Sequence, residues 1–287
     1  MSNRSFYTPL RYPGGKGKFA HYIKELFTEN DLCDGHYAEP YAGGAGVALE
    51  LLFLEYASII HINDIDPAIY SFWKAVVEQP EDLVRLIYDT PVNMNNWYKA
   101  KDIINSGANG VSTIELAFAT FFLNRTNRSG ILKAGVIGGK NQAGDWKLDA
   151  RYNKSELVAR ILKIANFRNR INISNLDAID FLNKLDCDLP QKSLVYLDPP
   201  YYVKGSGLYR NFYEHDDHVL IKERLDKFKK PWLVSYDNVV EIRDIYSQYP
   251  KDEYVLSYTA HQKKRGSEVI IYGPNVIRPS GGRLLIA

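Results

Sequence analysis

The chain has 287 residues, 45% hydrophobic and 24% charged, with a net charge of +2, which suits one globular body or one body with a smaller insertion. No apolar run approaches the roughly 20 residues of a membrane span, and the first twelve residues lack a signal-peptide core. Two distant cysteines, Cys33 and Cys187, and sparse histidine show no metal-ligand spacing, so the expectation is reduced thiols, a cytoplasmic setting and no metal.

Tyr12-Pro13-Gly14-Gly15-Lys16-Gly17-Lys18 comes first, ahead of a helical pattern over 19–27. Glycines before a helix let the backbone approach a ligand, and a lysine there can meet a carboxylate. The Walker A spacing is absent, and no Ser or Thr follows the lysine. A strand then leads into Glu39-Pro40-Tyr41-Ala42-Gly43-Gly44-Ala45-Gly46 and a helix over 47–56. An acid ending a strand, followed by a glycine turn without G-x-G-x-x-G, suits a nucleoside-bearing ligand lying across strand ends. The stretch 58–66 reads as a second strand ending in acids. Asp64, about twenty residues past the glycine turn, is placed to accept from ribose hydroxyls, with Ile65 beside it for an adenine face. Asp66-Pro67 is a helix-start signature for 68–77.

From Pro80 the rhythm changes. Patterns over 81–88, 95–104 and 113–123 read as helices with no intervening strand, and 131–146 as a hairpin or long loop. Residues 80–153 therefore read as a subdomain inserted between two parts of a catalytic core, 1–79 and 154–287. Asn124-Arg125-Thr126-Asn127-Arg128-Ser129-Gly130 is rich in side chains that hydrogen-bond base edges and phosphates. From 124 to 170, eleven Lys and Arg face three Asp and Glu, a net of +8 on a chain of +2. A basic segment on an acidic body is the footprint of a nucleic-acid contact. Asn124, Arg125, Asn127, Arg128, Lys133 and Lys140 are its candidate contacts. For Asn124 and Arg125 the alternative is helix C-capping and an internal ion pair.

The α/β alternation resumes with a helix over 154–165, a short strand over 170–174 and a helix over 179–185. Asp177, followed by Ala178, is either an N-cap alone or an acceptor for a ligand adenine amine. Ser193-Leu194-Val195-Tyr196-Leu197 is apolar and β-prone, a buried strand. Asp198-Pro199-Pro200-Tyr201 stops it, because the prolines fix φ and offer no N–H. The turn sets a carboxylate, a carbonyl and a ring at the carboxyl end of a strand, where open α/β sheets bind ligands. Two such acceptors grip an exocyclic NH₂, and the tyrosine stacks on the ring that carries it. Residues 204–217 read as a lid, 232–236 as a strand, and 254–258 with 268–272 as an antiparallel pair. Their link carries Lys264 and Arg265, a basic loop near the site.

Together, Tyr12 to Lys16, Glu39 to Gly46, Asn63-Asp64-Ile65-Asp66, Phe122-Leu123-Asn124-Arg125 and Tyr196 to Tyr201 resemble the DNA adenine methyltransferase family (Dam-like, D12 class). The resemblance runs through nearly the whole chain and is weakest over 131–153, so no target sequence carries over. It implies an α/β fold: a Rossmann-like S-adenosylmethionine-dependent methyltransferase sheet with an antiparallel C-terminal hairpin and an inserted, mainly helical DNA-recognition subdomain. It implies S-adenosyl-L-methionine as methyl donor and N6 of a flipped-out adenine in double-stranded DNA as acceptor. On matching positions it puts Tyr12, Gly15 and Lys16 at the methionine end of the donor. Glu39, Pro40, Tyr41, Gly43, Gly44 and Ala45 pass beside the donor, with Asp64 at its ribose, Ile65 on its adenine face and Asp177 and Ala178 at its adenine. Asp198, Pro199, Pro200 and Tyr201 meet the target base. A cytoplasmic monomer of prokaryotic or phage origin is expected, with or without a cognate restriction endonuclease. The competing readings are methylation of cytosine N4, RNA adenine or a glutamine amide, a silent DNA-binding relative, and an oxidoreductase, which the missing G-x-G-x-x-G opposes.

Overall fold

A computed structural model describes residues 7–11, 19–107, 110–203, 213–257 and 265–279. Tyr12, Gly15, Lys16 and Lys264 lie outside these residues, as does most of the expected lid. The chain forms two compact units, one of residues 16–63 and 176–287, the other of 1–15 and 64–175.

The first is an α/β unit. It holds α1 (Ala20–Glu29), β1 (Gly35–Glu39), α2 (Gly46–Phe53) and β2 (Ala57–Asn63). The chain returns to it with α8 (Ala178–Asp188), β4 (Ser193–Leu197), α9 (His215–Asp226), β5 (Trp232–Asp237), α10 (Val240–Ile245), β6 (Lys251–Ser257) and β7 (Arg265–Tyr272). Its six strands run in the order β2-β1-β4-β5-β7-β6. The first four are parallel, and β7 runs antiparallel to both β5 and β6, as the expected terminal pair. Strand β4 is buried at all five positions, which explains its unbroken apolar run: both faces of a central parallel strand are covered. One face packs Val195, Trp232, Val234, Tyr236, Val269 and Ile271 against Phe181, Leu185, Ile221 and Leu225 of the helices. On the other face Phe19 lies 5.2 Å from the Tyr196 ring. Because β2 flanks β1 on one side and β4 on the other, the sheet reverses its winding at β1 and β4, where such sheets open a ligand crevice.

Helices α9 and α10 have no counterpart in the sequence reading. The buried side chains of α9 are only His218, Ile221 and Leu225. That stripe is too thin to stand out, and the first three residues of the helix fall in the stretch 204–217 read as a lid. Its start is nonetheless marked, since the Glu214 N–H donates to the Asp217 carboxylate at 2.8 Å.

The second unit is mainly helical: α3 (Pro67–Glu78), α4 (Pro80–Asp89), α5 (Met94–Asn105), α6 (Thr113–Thr126), α7 (Lys154–Ala165) and the short strand β3 (Ile171–Ser174). It contains the expected insertion 80–153 together with α3 and α7. Asp66 caps α3 by accepting from the Ala68 N–H at 2.9 Å, with Pro67 at the first helical position. Helix α6 is opened by a capping box of Ser112 and Glu115 and is buried almost all round. Residues 131–153 form a loop with one isolated bridge, Asn127 to Val136, and no hairpin.

Candidate active site

The carboxyl ends of β1 and β4 bring together most of the residues singled out in the α/β unit. Glu39 is buried, and its Oε1 accepts from the Tyr37 hydroxyl at 3.0 Å and the Ala48 N–H at 3.1 Å. Burial pushes its carboxyl up to about 8; the two donors pull it down, and Asp198 pushes it up further. Glu39 therefore braces the glycine turn from inside, tying the end of β1 to the first turn of α2. Gly43 and Ala45 adopt left-handed conformations, with φ of 46° each. Residues 42–45 of the turn are buried, and the open space lies at its end, where a Cβ at Gly46 would meet nothing within 4 Å. That opening is the kind of cradle a nucleoside-bearing ligand requires.

Asn63, at the end of β2, enters the sequence reading only as the first residue of the Asn63–Asp66 stretch, with no role of its own. Its amide donates to the carbonyls of Pro40 and Leu176, both at 3.0 Å, and accepts from the Leu176 N–H at 2.9 Å. One buried side chain thus fixes both the glycine turn and the approach to Asp177. Asp177 is exposed and caps α8 through the Ile179 N–H at 2.8 Å, and Ala178 behind it is buried.

Asp198 is half-buried, and its Oδ1 accepts from the Ser235 hydroxyl at 2.7 Å. Ser235 spends its proton there, so Tyr196, whose hydroxyl is 2.8 Å away, donates to Ser235. Pro199 and Pro200 are buried. Tyr201 is buried too, and its hydroxyl donates to Oε1 of Glu268 at 2.7 Å, while the Tyr254 hydroxyl takes the other Glu268 oxygen. The next two residues hang on one carboxylate: the N–H groups of Tyr202 and Val203 donate to Asp237 at 2.9 and 3.0 Å. Asp237 and Glu268 face each other in the β5–β7 ladder and are both buried. Ser235, Asp237 and Glu268 therefore hold the whole turn from Asp198 to Val203. Tyr41 meets Tyr213 hydroxyl to hydroxyl at 3.0 Å. His218 lies 5.3 Å from the Tyr202 ring and, by burial, is pulled down to about 4.

In the helical unit the expected nucleic-acid residues separate into two groups. Asn124 is buried: its Oδ1 accepts from the Arg11 N–H at 2.7 Å and its Nδ2 donates to the carbonyls of Arg11 and Gly130. Asn127 is fully buried, accepting from the Trp97 indole at 2.7 Å and donating to the carbonyls of Ile131 and Leu132. These two amides are turned inward and frame the loop rather than present themselves to a base. Arg125 donates to the Arg151 carbonyl at 2.7 Å. Burial, then Arg11 and Arg160, bring its guanidinium down to about 10. Arg128, Lys133 and Lys140 are exposed. Asp64 accepts from the Asp66 N–H at 2.9 Å, and Ile65 beside it is exposed. Arg265 opens β7. Among the described residues, no group of three or more His, Cys, Asp or Glu is assembled that could hold a metal ion, and no helix is long and apolar enough to cross a membrane.

No curated protein matches the chain. Among solved structures it is similar to PH1948 from Pyrococcus horikoshii (10% identity, 95% of this chain and 91% of that one, TM-score 0.42). It is also similar to a SAM-dependent methyltransferase from Agrobacterium tumefaciens (9% identity, 91% and 63%, TM-score 0.40) and a conserved hypothetical protein of Streptococcus pyogenes (11% identity, 85% and 88%, TM-score 0.32). Likeness at that level says nothing about activity. The family model of the D12 class N6 adenine-specific DNA methyltransferases, however, matches residues 12–264, from the first glycine-rich segment through the braced Asp198 turn to the link before β7, and the chain belongs to that family.

Proposed function

We propose that the protein transfers a methyl group from S-adenosyl-L-methionine to N6 of an adenine extruded from double-stranded DNA. The observation that carries this reading is the Asp198 turn, with its carboxylate oriented by Ser235 and its following residues fixed by Glu268 and Asp237. When bound, S-adenosyl-L-methionine supplies an electrophilic methyl group on a positively charged sulfur. The glycine turn of Gly43, Gly44 and Ala45, with the open space at Gly46, is the part of this chain that would hold it.

An amino nitrogen on a purine is a poor nucleophile because its lone pair is delocalised into the ring. The Asp198 carboxylate and the Pro199 carbonyl accept its two N–H bonds, draw the nitrogen toward tetrahedral geometry and free the lone pair. The same carboxylate stabilises the positive charge that develops on the amine. Ser235 sets the carboxylate in advance, so no reorganisation is needed when the base arrives. Extruding a base costs a few kcal/mol in lost stacking and pairing. The Tyr201 ring, anchored through its hydroxyl, offsets part of that by stacking. Arg128, Lys133 and Lys140 meet phosphates.

The test is transfer of labelled methyl from S-adenosyl-L-methionine to unmethylated genomic DNA, then nucleoside digestion and mapping of modified positions. N6-methyladenine in a fixed short context is expected. N4-methylcytosine would keep the chemistry and change the base, and label found in RNA alone would overturn the DNA substrate.

A further inference from the structure

Trp146 is 69% exposed, the most exposed of the large apolar side chains among the described residues, whereas Trp73, Trp97 and Trp232 are all buried. A bare indole on a floppy tip would mean little. This one stands on a loop whose backbone is built with care. Gln142, itself at a φ of 50°, donates from Nε2 to the carbonyls of Ile137 and Gly139 and accepts at Oε1 from the Leu148 N–H, all at 2.7–2.8 Å. Lys147 closes the loop from the other side, donating to the carbonyls of Gln142 and Gly144 at 2.8 and 3.0 Å. Gly138, at a φ of 83°, leaves room for the backbone of Trp146: a Cβ there would fall 2.6 Å from the Trp146 carbonyl oxygen. Leu148 is buried and pins the loop to the unit, and the Arg151 guanidinium lies 6.0 Å from the indole centre. Three left-handed residues, Gly138, Gly139 and Gln142, and five side-chain hydrogen bonds thus order a segment whose largest side chain stays mostly exposed.

We infer that Trp146 is a stacking platform for a base of the DNA substrate, which rests on the DNA reading given above. The occupant follows from charge. The indole sits inside the 124–170 stretch with its net of +8, and Arg128, Lys133, Lys140 and Arg151 are all exposed. On the loop itself, however, Asp145 and Asp149 offset Lys140 and Lys147, and Lys147 is occupied by backbone carbonyls. Trp146 therefore contributes through its ring, while counterion release is left to the exposed cations Arg128, Lys133 and Lys140. A base offers a flat face to any aromatic side chain, and the preordered loop holds the ring without further loss of entropy.

Intrinsic fluorescence isolates this residue, because the other three tryptophans are shielded. Acrylamide quenching of the full chain is measured with and without an unmethylated DNA duplex, while binding is followed separately by anisotropy of a labelled duplex. DNA is expected to protect the quencher-accessible emission, which disappears in Trp146→Phe. Trp146→Ala is expected to bind about tenfold more weakly with an unchanged salt dependence, whereas Lys133→Ala lowers the salt slope. Trp146→Phe retains most of the affinity. Binding by anisotropy with unchanged Trp146 quenching, or full affinity in Trp146→Ala, overturns this inference and leaves the DNA reading intact. Absence of any DNA binding overturns both.

Discussion

In the α/β unit, the segment leaving the Asp198 turn hangs on two buried carboxylates, Asp237 and Glu268. In the helical unit, the loop after α6 hangs on three neutral amides, Asn124, Asn127 and Gln142. Both solutions hold a segment through side-chain hydrogen bonds, but they differ in sign. A carboxylate only accepts, so it can hold N–H and O–H donors and leaves negative charge close to the turn. An amide both donates and accepts, so it gathers carbonyls and N–H groups and leaves no charge. Next to Asp198, negative charge suits an amine that becomes cationic. In a stretch that carries +8 toward phosphates, carboxylate braces would cancel the cations they support. Each unit is braced with the chemistry that does not oppose its task.

Substitutions that exchange the two kinds of brace test this contrast. The largest effect belongs to Asp198→Asn, which keeps shape, removes charge and turns a donor toward the target amine. Its methyl-transfer rate in single turnover is expected to fall about a thousandfold with the melting temperature unchanged, and a near-normal rate would sink the mechanism. Asp237→Ala comes next. It orphans the N–H groups of Tyr202 and Val203 and loosens the turn without touching the glycine cradle, so the rate falls about tenfold to a hundredfold while calorimetric affinity for the methyl donor stays within about twofold. Amide exchange at residues 202 and 203 should lose its protection in that variant; retained protection would show that Asp237 is not the anchor.

Asn127→Asp makes the reverse exchange. It loses the bonds to Ile131 and Leu132 and buries a charge beside the Trp97 indole, costing about 2–4 kcal/mol. Urea midpoints read the loss. A variant as stable as the parent would mean that the loop does not depend on a neutral amide.

How much of this could be seen in the sequence follows from the range of the interactions. Local pattern located β4 at 193–197 and α7 at 154–165 to the residue, because an apolar run between turn signals and a clean amphipathic period are local facts. Asp198 was legible because its prolines announce the turn. Its supports were not. Tyr201 finds Glu268 sixty-seven residues away, and Asp237 reads as the polar end of a strand until β7 is laid beside it. Strand alternation assigns such acids to solvent, and only the pairing of β5 with β7 shows that they are buried. Asn124 and Asn127 went the opposite way: amides beside arginines resemble base readers, and nothing local records that Arg11, Gly130 and Trp97 claim them.

The same contrast says where pH acts on stability. In the helical unit the braces are neutral, and Arg125, brought down to about 10, stays charged throughout the physiological range. In the α/β unit buried groups titrate in opposite senses: His61 and His218 are both pulled down to about 4, and Glu39 is raised to about 8. His61, in contact with His36 at 3.1 Å, is pulled by burial from 6.5 to about 4. Its neutral form is the one the fold accommodates, so its contribution is complete above 6.5 and is lost as pH falls toward 4, about 2–3 kcal/mol over that interval. Glu39, raised to about 8, is accommodated as the neutral acid, so its contribution is complete below 4.5 and is lost as pH rises toward 8. Urea midpoints measured across pH 4 to 8.5 should fall on both sides of a maximum. His61→Asn is expected to make the acid limb shallower, His218 carrying what remains of it, and Glu39→Gln, whose amide oxygen still accepts from Tyr37 and Ala48, is expected to flatten the other limb alone. A variant that flattened both, or neither, would place the titrating groups elsewhere in the unit.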